Sequence, residues 1–402
     1  MAGYDSISNR KTLYVVAEEA NALLVVDTDK KKVIHKVRVG NRPHTVILDK
    51  DEKYAYVSNQ WADNLFVIDL KEISVIDTLK TGNGPAGLAL SSDGRFIYVV
   101  NSYSNDISIL NLSTGKEWKR LSAGNNPTGI RISPDGSRLY TTSRRANLVP
   151  YGEPVVCELT VIDDHSRIIA AREDMNSAYM LENIEFTPNG ELAVIPLIRP
   201  KNLVPSIQVE KGFMMTNGMA VIEQKPGGRI IQLLLDEPNE YFADPFDIAI
   251  TPDGKRAFVS HAGVDRISVV DLDSLRAFIK GTPAEKLEYF ANHLGVSSRY
   301  VIKRIVTGAN PKGMVISPDG KYLYVAEHLE DRIAVISTES LEKINAIDLG
   351  GPRRMTVARH GRRILNNAKG TFQTQYACYT CHPDAHEDGL VYNMASKDMG
   401  RN

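Results

Sequence analysis

The sequence predicts an all-β fold, a seven-bladed β-propeller, and two observations support this prediction. Tyrosines recur every 42 residues in the first third of the chain, at Tyr14, Tyr56, Tyr98 and Tyr140. Each repeat also contains four short stretches rich in β-branched residues, separated by turns rich in Gly, Pro, Asn and Asp. Four-stranded units with a period of about 40 to 50 residues are typical of propellers, because each blade needs neighbours to cover its two faces.

The repeats can be counted in two ways, and both counts give seven. Short apolar runs that form the second strand of each repeat lie at 23–27, 65–69, 107–111, 159–163, 219–223, 267–271 and 333–337. The turns that end the repeats, of which the best preserved reads Ser-Pro-Asp-Gly, occur equally often. The sequence therefore predicts a propeller over residues 11–363 and a short C-terminal segment, 364–402.

The phase of the repeats predicts how the ring closes. The chain begins with a Tyr-Val strand, and its repeats end with the stretch Arg-Arg-Met-Thr-Val-Ala at 353–358. We expect 353–358 to be the innermost strand of a blade whose other three strands lie within 11–39. Both termini would then share one blade, which removes the exposed strand edges.

Three insertions enlarge the propeller on one face. Residues 144–157, 197–218 and 236–246 interrupt the repeat, and the alternation of strand direction places all three on the same side. We call these three loops the docking face. Their aromatic, Met and Arg content favours contact with a partner over simple packing across the propeller mouth. The residues expected to bind a partner are Arg144, Arg145, Tyr151, Arg199, Phe213, Met214, Tyr241 and Phe242.

A fourth insertion, at 282–295 in blade 6, has the pattern of one helix. Thr282 is suited to the N-cap, Pro283 to the first helical position and Gly295 to the end of the helix. Leu287, Phe290, Ala291 and Leu294 follow helical spacing, so we expect this face to pack on its own blade.

Composition and motifs exclude several functions. The 48 basic and 49 acidic residues nearly cancel, so no overall charge attracts nucleic acid or an anionic membrane. No apolar run reaches the roughly 20 residues of a membrane span, and the first residues lack a signal-peptide pattern. The Gly-rich stretch 82–87 fits the G-x-G-x-x-G pattern, but Pro85 within it argues against a nucleotide-binding site. We expect no metal site, with His44, His261 and His328 as core or solvated histidines.

One motif carries specific chemistry: Cys378-Tyr379-Thr380-Cys381-His382. Two thiols separated by two residues can form thioethers to the haem vinyl groups, and the adjacent imidazole can then bind the iron. A redox Cys-x-x-Cys pair and half of a zinc site are the alternatives, but neither explains His382. The motif therefore predicts haem c attached through Cys378 and Cys381, with His382 as the iron ligand.

The haem site predicted from the sequence is incomplete. Only 20 residues follow His382, and few of them are apolar, although Met394 and Met399 are possible second ligands. We therefore expect residues 364–402 to be loosely ordered and the protein made in the cytoplasm to be colourless. Because c-type haem is attached outside the cytoplasm, the motif predicts an extracytoplasmic mature chain, for example a periplasmic one.

The repeats resemble the YVTN family of β-propellers over residues 11–363, and "YACYTCHPDAHEDGL" (376–390) resembles the first haem-binding segment of dihaem cytochrome c peroxidases and MauG-like proteins. In layout the chain resembles the β-type propeller subunits of hydrazine synthases. This resemblance implies a propeller without its own cofactor that scaffolds and covers the active site of c-haem partner subunits in an electron-transfer complex, and is not catalytic alone.

Two other functions stay open from the sequence. In the first alternative, the chain is the N-terminal propeller part of a fused dihaem peroxidase-like protein. In the second, it is a stand-alone enzyme such as a lactonase-like propeller. Against the second, no cluster of acid, base and nucleophile stands out from the repeats.

Overall fold

A computed structural model describes residues 6–7, 12–150, 152–203, 214–393 and 399–401. Within these residues, seven antiparallel sheets of four strands follow one another along the chain, and in each sheet successive strands are hydrogen-bonded. This is the fold of a seven-bladed β-propeller, as predicted. The chain forms two compact units. The first extends to Ser143 and includes Leu159–Glu173 and Lys312–Arg353, and the second contains Arg144–Glu158, Asp174–Pro311 and the chain from Arg354 onward.

The first unit holds sheets 1, 2, 3 and 7 and most of sheet 4. Its strands are β1 (Ser6–Ile7), β2 (Thr12–Ala17), β3 (Ala22–Asp27), β4 (Lys32–Arg38), β5 (Pro43–Leu48), β6 (Tyr54–Asn59), β7 (Asn64–Asp69), β8 (Ser74–Lys80), β9 (Pro85–Leu90), β10 (Phe96–Asn101), β11 (Asp106–Asn111), β12 (Lys116–Ser122), β13 (Pro127–Ile132), β14 (Arg138–Ser143), β15 (Val156–Asp163), β16 (Ile168–Asn176), and, in sheet 7, Pro311–Ile316, Tyr322–Glu327, Arg332–Ser337 and Glu342–Asp348.

The second unit holds sheets 5 and 6 and the end of the chain. Its strands are β17 (Glu185–Phe186), β18 (Leu192–Pro200), β19 (Met215–Glu223), β20 (Ile230–Leu234), β21 (Pro245–Ile250), β22 (Arg256–His261), β23 (Arg266–Asp271) and β24 (Val301–Val306). The four strands of sheet 7 given above are therefore β25 to β28. A two-stranded sheet of β29 (Val391–Asn393) and β30 (Met399–Arg401) follows them. The helices are α1 (Leu272–Gly281), α2 (Ala284–Phe290), α3 (Val357–Leu365) and α4 (Cys378–Cys381), with 3₁₀ turns at Glu18–Ala20, Leu294–Arg299, Ala368–Gly370, Phe372–Thr374 and Pro383–Ala385.

The recurring tyrosines occupy equivalent places in the first four sheets. Tyr14, Tyr56, Tyr98 and Tyr140 lie on the second strand of their sheets and are buried. The period of two along a strand turns every other side chain into the space between neighbouring sheets, which explains why a large residue is required at this position. The hydroxyl of Tyr98 donates a hydrogen bond to Asp164 Oδ1 at 2.8 Å.

The Ser-Pro-Asp-Gly turns have the structure that their sequence requires. In the turn that begins at Ser133, the hydroxyl donates to Asp135 Oδ1 at 2.6 Å, and Gly136 has a φ of 71°. Glycine adopts this left-handed conformation without the cost that a Cβ atom would impose. These turns connect the first and second strands of a sheet, so a repeat that ends at such a turn is offset by one strand from the blade.

The predicted ring closure is wrong. The first strand of sheet 1 is β1, which pairs with β2 through Ser6 opposite Tyr14 and Ile7 opposite Leu13. Residues 353–358 contain no strand, because the Thr356 side chain caps α3 by accepting a hydrogen bond from the Arg359 amide. Each sheet is therefore continuous in sequence, and the described residues after Asp348 contribute no strand to any of the seven.

Blade 6 contains two helices between β23 and β24 where the sequence predicted one: α2 lies within the predicted stretch 282–295, and α1 precedes it. Thr282 is the C-cap of α1, and Pro283 precedes α2, so the proline ends one helix and begins the next. Leu287 is buried in an apolar cluster with sheets 5 and 6, and Phe290 and Leu294 pack against this cluster. The predicted apolar face therefore packs on the propeller, but against sheet 5 as well as its own blade. None of the helices among the described residues is long and apolar enough to cross a bilayer.

Candidate functional site

The C-terminal segment lies on the docking face. The Arg144 guanidinium bonds to Asp384, the Met214 amide donates to Gln375 Oε1 at 3.0 Å, and Thr374 Oγ1 donates to the Tyr241 carbonyl at 3.0 Å. One segment thus contacts all three loops, which confirms that they share a face. The expectation that residues 364–402 are loosely ordered is wrong for the part of the segment that the structure describes, because the propeller supplies cover that the segment's own sequence lacks.

An apolar cluster joins the segment to the loops beneath it. Its members come from the loop that follows β14, from the connection between β16 and β17, from the β18–β19 hairpin, from the stretch before β21, from the turn between β22 and β23, and from the C-terminal segment. The buried members are Ala146, Val155, Tyr179, Met180, Ile198, Met215, Phe242, Ala243, Val264, Ala368, Ala377, Tyr379, Leu390 and Tyr392. At roughly 1.5–3 kcal/mol for each large side chain removed from water, such a cluster is enough to hold the segment in place.

Helix α4, which contains the two cysteines of the motif, is fixed by Thr380 between them. Thr380 is buried, and its hydroxyl donates to Asp244 Oδ1 at 2.5 Å. The Thr380 carbonyl accepts a hydrogen bond from the Tyr179 hydroxyl at 2.7 Å. The Ala377 amide donates to Thr380 Oγ1 at 2.8 Å, which fixes the start of the helical turn. The middle residue of the motif, Thr380, therefore attaches it to the propeller.

The three motif residues have different environments. Cys378 and His382 are exposed, whereas Cys381 is mostly covered. Cys381 Sγ lies 3.8 Å from the Tyr392 hydroxyl, which itself donates to Asp388 Oδ2 at 2.8 Å. Burial, reinforced by the negative charge of Asp388, raises the pKa of the Cys381 thiol to about 12.

These positions fit a c-type haem only in part. The exposed Cys378 thiol and His382 imidazole are accessible to a haem, and the single helical turn places the two thiols one turn apart. The Cys381 thiol, however, is packed against the apolar cluster and Tyr392. A second thioether requires this side chain to leave Tyr392. Met394 lies outside the described residues, and Met399 is described only as part of β30.

The cysteines should therefore differ in reactivity. We expect Cys378 to react with a water-soluble thiol reagent at pH 8 about a thousandfold faster than Cys381 or Cys157, because burial raises the pKa of both other thiols to about 12. Timed labelling followed by peptide mass spectrometry measures the three rates separately. Equal rates for Cys378 and Cys381 would contradict the packing described here.

Arg144 is the centre of a buried ionic group. It is 5% exposed, its Nε lies 2.7 Å from Glu182 Oε1, and its Nη1 lies 2.5 Å from Asp384 Oδ2. Burial alone would lower the pKa of the guanidinium, but the two carboxylates hold it well above its ordinary value. Arg144 thus links the loop, the propeller body and the C-terminal segment. Sequence reasoning missed Glu182, and its only signal was a single acid within the apolar stretch Tyr-Met-Leu-Glu-Asn.

The other predicted partner-binding residues are mostly covered by the chain itself. Tyr241 and Phe242 are buried, at 2% and 1% exposure, so in this conformation they offer little surface to another chain, and Arg199 is 8% exposed. Arg145 and Met214 are half-buried. Tyr151 and Phe213 lie outside the described residues. Binding to a partner, as predicted for Arg144 and Arg199, would favour exposed side chains, but both are buried because the apolar residues of the insertions fold over them.

The docking face also covers His261, one of the three histidines that the sequence predicted to be core or solvated residues. His261 is fully buried, with Nδ1 2.8 Å from the Phe242 carbonyl oxygen and Nε2 2.5 Å from Ser268 Oγ. Burial, and then the charge of Arg304, lowers the pKa of His261 to about 3. This confirms His261 as a core histidine. Among the residues that the structure describes, no group of three or more His, Cys, Asp or Glu side chains is arranged to hold a metal ion.

Comparisons with known proteins agree with this fold and show similarity to a β-propeller family and to one enzyme subunit. Residues 48–138 match the YNCE-like beta-propeller family. Over 177 residues, 44% of this chain and 46% of the relative, the chain is 30% identical to hydrazine synthase subunit beta of Kuenenia stuttgartiensis. The aligned region thus spans less than half the length of that relative.

Solved structures extend the similarity along most of the chain. A chain of Kuenenia stuttgartiensis hydrazine synthase superposes with a TM-score of 0.79 and 27% identity, covering 84% of this chain and 95% of that one. A functionally unknown protein from Desulfotomaculum acetoxidans (TM-score 0.59, 14% identity, 84% and 95% covered) and dihydro-heme d1 dehydrogenase NirN (0.57, 15%, 87% and 66%) share the fold alone. This chain is therefore a β-propeller similar to the β subunit of hydrazine synthase.

Proposed function

We propose that this chain is the propeller subunit of an oxidoreductase complex of the hydrazine synthase type, and that it scaffolds and covers the active site of a c-haem partner without catalysing a reaction alone. The observation that carries the proposal is the similarity to hydrazine synthase over 95% of the solved chain. The enlarged loops support it, because they concentrate aromatic, Met and Arg residues at one face. The partner would contact the outer surface of these loops and of the C-terminal segment above them.

We also propose that the C-terminal segment attaches haem c through Cys378 and Cys381, with His382 as iron ligand. When bound, the haem would supply one-electron transfer. The exposure of Cys378 and His382 supports this proposal, and Thr380 would hold the turn on the propeller while the Cys381 side chain leaves Tyr392. Attachment of this kind implies an extracytoplasmic location for the mature chain.

Isolation of the complex tests the subunit role. An affinity-tagged chain purified from its native host should carry haem-containing subunits in fixed stoichiometry by native mass spectrometry, and the complex should form hydrazine while the isolated chain does not. A chain that purifies alone, or that forms hydrazine by itself, would contradict the proposal.

The haem proposal has a separate test. The chain expressed with a c-haem maturation system should gain the mass and the Soret absorption of one covalently bound haem, and Cys378→Ser should abolish covalent attachment. Cys157→Ser is the matched control, because Cys157 is buried far from the motif in sequence and should leave haem uptake unchanged. A colourless wild-type chain under these conditions would overturn the haem proposal and leave the subunit role intact.

A further inference from the structure

Arg199 differs from the other buried arginines of the second unit. Arg144 is paired with Glu182 and Asp384, and Arg304 contacts Glu237, Ser268 and the face of the Phe242 ring. Arg199 is 8% exposed, yet its guanidinium makes no hydrogen bond or ion pair to any described residue, and its Nε is buried without an acceptor. A buried charge without a partner costs free energy, so its presence needs an explanation.

A second cation lies beside Arg199. Lys201 is two residues further along the chain, just after β18 ends, and its ammonium group contacts the Asn292 side-chain oxygen, an uncharged acceptor. Burial, and then the nearby charge of Arg199, lowers the pKa of Lys201 to about 8, whereas burial alone lowers the pKa of Arg199 to about 10. Both groups remain largely cationic at pH 7, and no described acid offsets them.

This arrangement is suited to an anion. A guanidinium presents a planar pair of donors that matches a carboxylate, and an adjacent ammonium adds a point charge that strengthens the contact. We propose that Arg199 and Lys201 form a binding site for one carboxylate group, which in the complex proposed above is an acidic side chain of the partner subunit. The assignment of this carboxylate to the partner subunit rests on the proposed function, but the binding site itself does not.

The isolated chain tests the site with acetate as the probe. Thermal unfolding of the wild-type chain in acetate and in chloride, at equal ionic strength, should give a melting temperature higher in acetate by about 2 °C or more, because a ligand that binds only the folded state stabilises it. Arg199→Met should lose this difference. In chloride, Arg199→Met should melt at the wild-type temperature or above it, because the substitution removes a desolvated charge.

Matched variants separate the site from general salt effects. Arg229→Met removes one cation from sheet 5, but Arg229 is already paired with Glu223 at 2.9 Å, so its acetate response should equal that of the wild type. Lys201→Met should reduce the response without abolishing it. An equal acetate response in the wild type and Arg199→Met would overturn the site, as would a large loss of stability of Arg199→Met in chloride.

A separate experiment tests whether the bound carboxylate belongs to the partner subunit. If the site is confirmed in the isolated chain, Arg199→Met should weaken assembly of the purified complex at least tenfold, while Arg229→Met should not. If acetate stabilises the chain but Arg199→Met does not weaken assembly, the site binds free carboxylates. That result would overturn only the assignment of the carboxylate to the partner subunit. Failure to assemble in every variant, including the wild type, would count against the proposed function and not against the site.

Discussion

Replacing Arg144 with methionine is expected to lower the free energy of unfolding by about 3–5 kcal/mol, because it removes the guanidinium that pairs with the fully buried Glu182 carboxylate. Asp384 loses its contact at the same time, so the C-terminal segment should also detach more easily. Urea denaturation followed by tryptophan fluorescence and by circular dichroism measures the change.

Two further variants show whether the effect comes from the uncompensated charge. In the triple variant Arg144→Met, Glu182→Met, Asp384→Asn, much of the lost stability should return, since all three charges of this ionic group are removed together. Arg229→Met, which breaks a partly exposed pair with Glu223, should cost less than about 1 kcal/mol. If Arg144→Met were no more harmful than Arg229→Met, the Arg144 ionic group would not be the buried link described above.

Ending the chain at Arg353 is expected to keep the seven sheets but to expose the apolar surface beneath the C-terminal segment. The last strand of sheet 7 ends at Asp348, so no strand of a blade is lost. Tyr179 and Phe242, which are fully buried in the intact chain, would become accessible to water. At roughly 1.5–3 kcal/mol for each large apolar side chain exposed, the loss of stability should reach several kcal/mol.

Circular dichroism and dye binding distinguish these effects. The truncated chain should retain the β-sheet spectrum, bind a hydrophobic dye such as ANS strongly, and aggregate more readily. Thr380→Val in the full-length chain is the control, since it removes the hydrogen bond to Asp244 but leaves the apolar cover in place, and it should bind little dye. Loss of the β-sheet spectrum on truncation would mean that the residues after Asp348 do help to close the ring.

The sequence by itself determined the number of sheets, the positions of most strands and the turns. These follow from local rules: a period of two within a strand, a 42-residue spacing of buried tyrosines, and glycine at left-handed positions such as Gly136. It also located the three enlarged loops and the Cys-x-x-Cys-His motif, because an interruption of a regular repeat and a short motif can both be recognised from the residue order alone.

Only the tertiary structure decided how the ends of the chain are used. The stretch 353–358 is compatible with a strand, but pairing depends on which segment reaches the edge of β2, and β1 occupies that edge. Likewise, nothing near Arg144 in the sequence shows that its partners are 38 and 240 residues away, at Glu182 and Asp384. Burial and charge pairing between distant segments are properties of the folded chain. Local patterns therefore place Arg144 and Arg199 on enlarged loops, but they cannot show that Arg144 pairs with two carboxylates while Arg199 pairs with none of the described acids.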